Sequence, residues 1–133
     1  MADEDIELVR RVWAAFTRGD EDEWRGDLHP DIVAIPFGAK LEGKEYRGYD
    51  QVLSWWKDEI LVTWEQFEVY PERFERVHDK LLVTGRWKAR GSESGVDLDL
   101  PATWVIEVRD GQIAYWQTYT DVEDARRDVG LDR

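Results

Sequence analysis

The chain has no cysteine, which excludes disulfides, thiolate nucleophiles and cysteine-ligated metals. Positive charge is also scarce: 18 Lys and Arg stand against 30 Asp and Glu, a formal net charge of -12. Such a surface repels phosphate, and the basic residues are scattered singly or in pairs, so neither nucleic acid nor an anionic membrane is expected as a partner. Histidine is limited to His29 and His78, far apart and outside any HExxH-type spacing. No metal site is therefore expected, and no motif calls for a cofactor. No apolar run approaches the ~18 residues of a membrane span. The opening MADEDIELVRR is acidic and does not resemble a signal peptide, so a cytoplasmic protein is expected.

Aromatic residues are abundant by contrast. Hydrophobic residues make up 42% of the 133, and 8 of them are tryptophan. That is enough apolar surface for one domain over residues 1–133 with a single core. Each tryptophan brings a large apolar body and one N–H donor. Eight of them either fill core and interfaces or line a ligand cavity.

The most informative stretch is Leu98 to Leu131. Two apolar runs flank Asp110-Gly111, a pair that supplies the positive φ angles of a two-residue turn, so an antiparallel hairpin is predicted. With Arg109 opposite Gln112, a regular ladder places Val105 opposite Trp116 and Thr103 opposite Thr118 on one face. Trp104, Ile106, Val108, Ile113, Tyr115, Gln117 and Tyr119 then share the other. Both faces are apolar, so both need cover. The chain's helices can supply one cover and a second subunit the other.

Upstream, Ile6, Leu8, Val9, Val12, Trp13 and Phe16 recur at helical spacing between Asp3 and Arg18. Gly19 suits the helix C′ position, and Asp20 with Glu23 forms a capping box for a second helix buried through Trp24 and Leu28. Leu28-His29-Pro30 ends that helix, because the residue before proline avoids the α region. Asp31 to Phe37 reads as a strand, Gly38 to Gly48 as a loop carrying Tyr46, and Tyr49 to Ile60 as a third helix with Val52, Trp55, Trp56 and Ile60 on one side. Val62 to Arg76 is β-like with an interruption at Pro71. Leu81 to Ala89 is a strand with Leu81, Val83, Trp87 and Ala89 on one face and Leu82, Thr84, Arg86 and Lys88 on the other. RGSESG lacks phosphate-loop context and serves a turn. Asp121 starts a last short helix ending at Gly130. The pattern is α+β: a strongly curved antiparallel sheet wrapped around helices, forming a cone with an internal pocket.

Several segments carry a family resemblance when taken in order: AAFTRGD, LHPDIV, YRGYDQV, RGSESGV, VRDGQIAYWQTYTD and DVGL. The chain resembles the SnoaL-like members of the nuclear transport factor 2-like, cone-shaped α+β superfamily nearly end to end. The resemblance implies a homodimer through the outer sheet face and a pocket for a small, mostly apolar molecule. The superfamily includes isomerases, cyclases, hydrolases, dehydratases and proteins without catalysis, so fold does not supply function. Similarity to ketosteroid isomerases would require a base where this chain has Pro36, a tyrosine where it has Val12, and an aspartate near Val105. None of these can do that chemistry. Superfamily epoxide hydrolases use an Asp-Arg-Asp set; Arg86 has no aspartate on its own strand.

The candidates that remain are few. Asp121 and Glu107 are the candidate catalytic carboxylates: Asp121 is a general base if the cone is dry, or simply a helix N-cap, and Glu107 is a cavity group or an exposed rim residue. Expected ligand contacts are Val12, Phe16, Leu28, Trp56, Val105, Trp116 and Thr118. Thr103 and the indole N–H groups supply neutral hydrogen bonds, Tyr46 lies in a loop able to close over the cone, and Arg86 is able to hold a carboxylate or pair with a neighbouring strand. His29 reads as a helix-end hydrogen bonder and His78 as part of a surface turn. Two functions follow: binding of an uncharged, ring-bearing hydrophobic molecule, or an isomerase, cyclase or hydrolase using one pocket carboxylate for proton transfer.

Overall fold

A computed structural model describes residues 2–36, 44–119 and 121–130. Phe37, residues 38–43 of the expected loop and Leu131 lie outside the described residues. The first helix, α1 (Ala2–Arg18), buries Leu8, Val9, Val12, Trp13 and Phe16. It closes with paired bonds, Gly19 N–H to the Phe16 carbonyl at 3.2 Å and Asp20 N–H to the Ala15 carbonyl at 2.9 Å. Gly19 takes φ +76°, which its missing Cβ allows. Asp20 then caps α2 (Glu21–Asp27) by accepting the Glu23 N–H at 3.1 Å.

The strand β1 (Leu28–Ile35) begins directly at the end of α2, three residues before the expected Asp31. Pro30 pushes His29 into extended geometry, and extension suits a strand as well as it ends a helix. A two-residue strand, β2 (Tyr46–Arg47), interrupts the expected loop and pairs with β1. The third helical segment has three parts: α3 (Gly48–Trp55), a π-helical turn (Trp56–Ile60) and α4 (Leu61–Thr63). The meander follows as β3 (Trp64–Val77), β4 (Lys80–Gly91), β5 (Asp97–Arg109) and β6 (Gln112–Tyr119), and α5 (Val122–Asp128) closes the chain.

The sheet has six strands in the order β2-β1-β6-β5-β4-β3. All neighbours are antiparallel except β1 and β6, which run parallel. It is a curved, unclosed sheet with helices against its concave face, the α+β cone expected from the order of elements. Pro71 does not interrupt β3. The strand absorbs it in a bulge, with Pro71 opposite Gly85 and Arg73 opposite Thr84. Gly85 is obligatory there, since a Cβ would lie 2.0 Å from the Tyr70 carbonyl oxygen.

A second bulge corrects the hairpin register. Asp110 and Gly111 form the turn at φ 56° and 75°, and Arg109 pairs with Gln112 as expected. The ladder then shifts between Val108 and Glu107, because Ala114 is the extra residue on β6. From there Ile106 faces Trp116, Val105 faces Gln117, Trp104 faces Thr118 and Thr103 faces Tyr119. Trp104, Ile106 and Trp116 therefore join the concave core with α1, whereas Val105 and Tyr119 belong to a second cluster with Val77, Leu82, Ala125 and Val129 under α5.

Candidate ligand cavity

Between the helices and the sheet lies a cavity of about 360 Å³. Seven of the eight tryptophans line it: Trp13 from α1, Trp24 from α2, Trp55 from α3, and Trp64, Trp87, Trp104 and Trp116 from β3, β4, β5 and β6. Phe16 and Phe67 complete the wall. The rings hold one another in place. Trp13 meets Trp104 and Trp116 edge-on at 6.0 and 5.7 Å, Trp55 tilts against Trp116 at 5.7 Å, and Phe67 stacks on Trp87 at 5.4 Å. Such contacts are worth ~0.5–1.5 kcal/mol each beyond the area they bury. A wall built this way keeps its shape without a ligand.

Among the described residues, polar groups on the wall are few: Glu59, Thr63 and Thr118. The indole nitrogens of Trp13, Trp24 and Trp56 have no accessible surface and no acceptor among the described residues, so they face packed protein. Glu59 projects from the π-helical turn, four residues after Trp55 and on the same side. Tyr46 donates its hydroxyl to Glu59 Oε2 at 2.8 Å.

Of the expected ligand contacts, Phe16, Trp116 and Thr118 line the cavity. Val12, Leu28 and Trp56 are buried behind the wall, with Trp56 against Trp24 at 4.9 Å between ring centres. Thr103 and Val105 lie on the convex face, a consequence of the Ala114 bulge. Arg86 is also on the convex face, bound to Asp99 of β5 at 2.7 Å. Tyr46 reaches the site through Glu59.

Neither expected carboxylate lines the cavity. Asp121 caps α5, accepting the Glu123 N–H at 2.8 Å, and Glu107 lies 3.6 Å from Lys80 on the convex face. His29 directly follows Leu28, the C-cap of α2, and lies on β1, where its Nδ1 accepts the Asp31 N–H at 3.0 Å. Among the described residues no cluster of His, Asp and Glu is arranged to hold a metal ion, and no helix is long and apolar enough to cross a membrane.

The model of the SnoaL-like domain matches residues 9–116. The chain belongs to the SnoaL-like family. This SnoaL-like chain is 29% identical over 111 residues to the uncharacterized protein Rv0034 of Mycobacterium tuberculosis, covering 84% of each. Among solved structures it is similar to TerC co-crystallized with polyporic acid, at TM-score 0.77 and 17% identity over 95% of this chain and 98% of that one. It is also similar to an NTF2-like protein of unknown function from Burkholderia pseudomallei, at TM-score 0.76 and 18% identity over 96% and 98% of the two chains. Identities this low establish the shared cone fold alone.

In this SnoaL-like chain Pro36, directly after β1, lines the cavity and offers no acid or base there. Glu59 was missed because WKDEI reads as the polar side of a helix end. The available signal was its spacing: four residues from Trp55, it shares that tryptophan's side of the helical segment.

Proposed function

We propose that the chain binds a small, ring-bearing, mostly apolar molecule in the aromatic cavity. The observation that carries this reading is the wall itself, which among the described residues sets seven tryptophans and two phenylalanines, with three polar side chains, around about 360 Å³. Packing rings at this density to fill a core would leave no such space, and the volume falls in the range of small-molecule sites. The co-crystallization of TerC with polyporic acid supports the reading by analogy of fold.

A library of ring-bearing compounds should contain members that raise the melting temperature and quench tryptophan emission. Trp55→Ala should abolish both effects, whereas Trp56→Phe, behind the wall, should leave them in place. If no compound shifts the melting temperature or the emission, the reading is wrong.

A second reading, proton transfer by one pocket carboxylate, has its support in Glu59, since Asp121 and Glu107 are elsewhere. Glu59→Gln should then lower turnover by at least ~100-fold. Part of the proposal is also a cytoplasmic homodimer through the outer sheet face. Arg86 and Arg90 on β4 beside Asp99 and Asp97 on β5 give that face the self-complementary charge a two-fold contact needs. Light scattering during gel filtration tests it, and a monomer at all concentrations would remove it.

A further inference from the structure

We propose that the cavity selects organic cations, taking an alkylammonium or protonated amine whose positive head sits by Glu59 and whose apolar body lies on the tryptophan rings. This deepens the small-molecule reading above and rests on it. Three observations converge. Among the described residues, Glu59 is the charged side chain on the wall, and no described Lys, Arg or His lines the cavity. The remainder of the wall is mostly aromatic, and aromatic faces carry the negative side of the ring quadrupole, so a cation gains from them as well as from the carboxylate. The chain's net charge of -12 concentrates cations near its surface and repels anions.

Among the described residues Glu59 has no cationic partner. Among the same residues its hydrogen bond comes from the Tyr46 hydroxyl, a neutral donor to Oε2 that orients the carboxylate without neutralising it. The nearest basic residue in sequence, Lys57, is committed to Glu21 of α2 at 2.7 Å. Trp64 and Phe67 are half-buried and mark the mouth, whereas Trp13, Trp24, Trp104 and Trp116 are buried. Glu59 is exposed, so the charged head stays at the mouth and keeps part of its hydration while the apolar body goes inward. A neutral ligand of the same shape would use the rings but form no ion pair with Glu59. An anion would meet the carboxylate directly.

The test uses two probes of one shape, benzyltrimethylammonium and its neutral carbon isostere neopentylbenzene, titrated against tryptophan emission and by ligand-observed NMR. The cation should bind ~10-fold tighter or better, corresponding to about 1.4 kcal/mol. Glu59→Gln should erase that preference while retaining affinity for neopentylbenzene. Glu93→Gln, in the turn between β4 and β5, changes net charge equally and should leave the preference intact. Equal or weaker binding of the cation overturns the inference and leaves the small-molecule reading standing. Loss of the preference in Glu93→Gln as well overturns the role of Glu59. Failure of both probes to bind overturns cation selection. A library that also gives no hit overturns the small-molecule reading with it.

Discussion

Trp104 lies opposite Thr118 across the β5–β6 ladder, and Val105 opposite Gln117. One extra residue on β6, Ala114, decides this, and with it which side chains face the cavity and which face α5. Without the bulge Trp116 and Thr118 would share a face with Val105 and Thr103 instead of with Trp104 and Ile106, because strand side chains alternate with a period of two.

The two faces can be separated by mutation. Val105→Ala should destabilise the fold by roughly 1–3 kcal/mol, since it removes two methyl groups from the cluster under α5. It should leave the affinity of a cavity ligand unchanged. Trp104→Phe should do the reverse in kind, changing that affinity through the wall it forms. Urea unfolding and ligand titration on both variants check the pair, and a ligand effect from Val105→Ala would contradict the register.

Much of the fold is legible in residues whose chemistry is local. Gly19 and Asp20 mark a helix end and the next beginning, Asp110-Gly111 marks the turn, and the alternation in β4 gives both of its faces correctly. The bulge leaves no such mark. Ala114, Tyr115 and Trp116 are all compatible with burial, and strands apolar on both sides give no pattern from which to read register. The site suffered the same ambiguity. The helical pattern brings Phe16 to the cavity, the bulge separates Thr103 and Val105 from Trp116 and Thr118, and Glu59 stands in a polar WKDEI run that reads as a solvated helix end.

Gly85 is the position where the sheet is least tolerant. A methyl group there would meet the backbone of Tyr70 and Pro71, at 2.0 Å from an oxygen and 3.0 Å from a Cα, and backbone cannot move aside as a side-chain tip can. Gly85→Ala should therefore cost at least the roughly 1–3 kcal/mol of an overpacked core, read as a lowered urea midpoint or as insoluble expression. A stability within 0.5 kcal/mol of the parent would show that the β3 bulge is not held as described.

Asp121 is expected to act on stability alone. Its carboxylate accepts the Glu123 N–H at the start of α5, a bond of the kind worth ~1 kcal/mol. Asp121→Ala should lower stability by about that amount, and Asp121→Asn should largely restore it, because an amide oxygen caps as well. Glu107→Gln should be close to neutral, given its half-exposed pairing with Lys80. Neither change should alter ligand affinity, and an effect from either would place a carboxylate of the convex face in the site after all.

The convex face also sets how stability responds to alkali. Burial, reinforced by Glu107 and Asp128, pushes the Tyr115 hydroxyl up to about 12. Tyr119 is raised further by burial and by its 2.7 Å bond to Asp128, which only the protonated phenol can donate. In the unfolded chain both phenols titrate near 10. Below that pH both states keep both protons, so these groups add no pH dependence. Above it the unfolded chain releases protons that the folded chain retains, and stability falls with rising pH. For Tyr115 the fall continues to about pH 12, and for Tyr119 beyond it. Urea midpoints at pH 8 and pH 11.5 should therefore differ, with the alkaline one lower. Tyr119→Phe should reduce the difference, at the expense of roughly 0.5–1.5 kcal/mol at pH 8 for the lost hydrogen bond. A midpoint as steep in pH for Tyr119→Phe as for the parent would mean that Tyr119 titrates alike in both states.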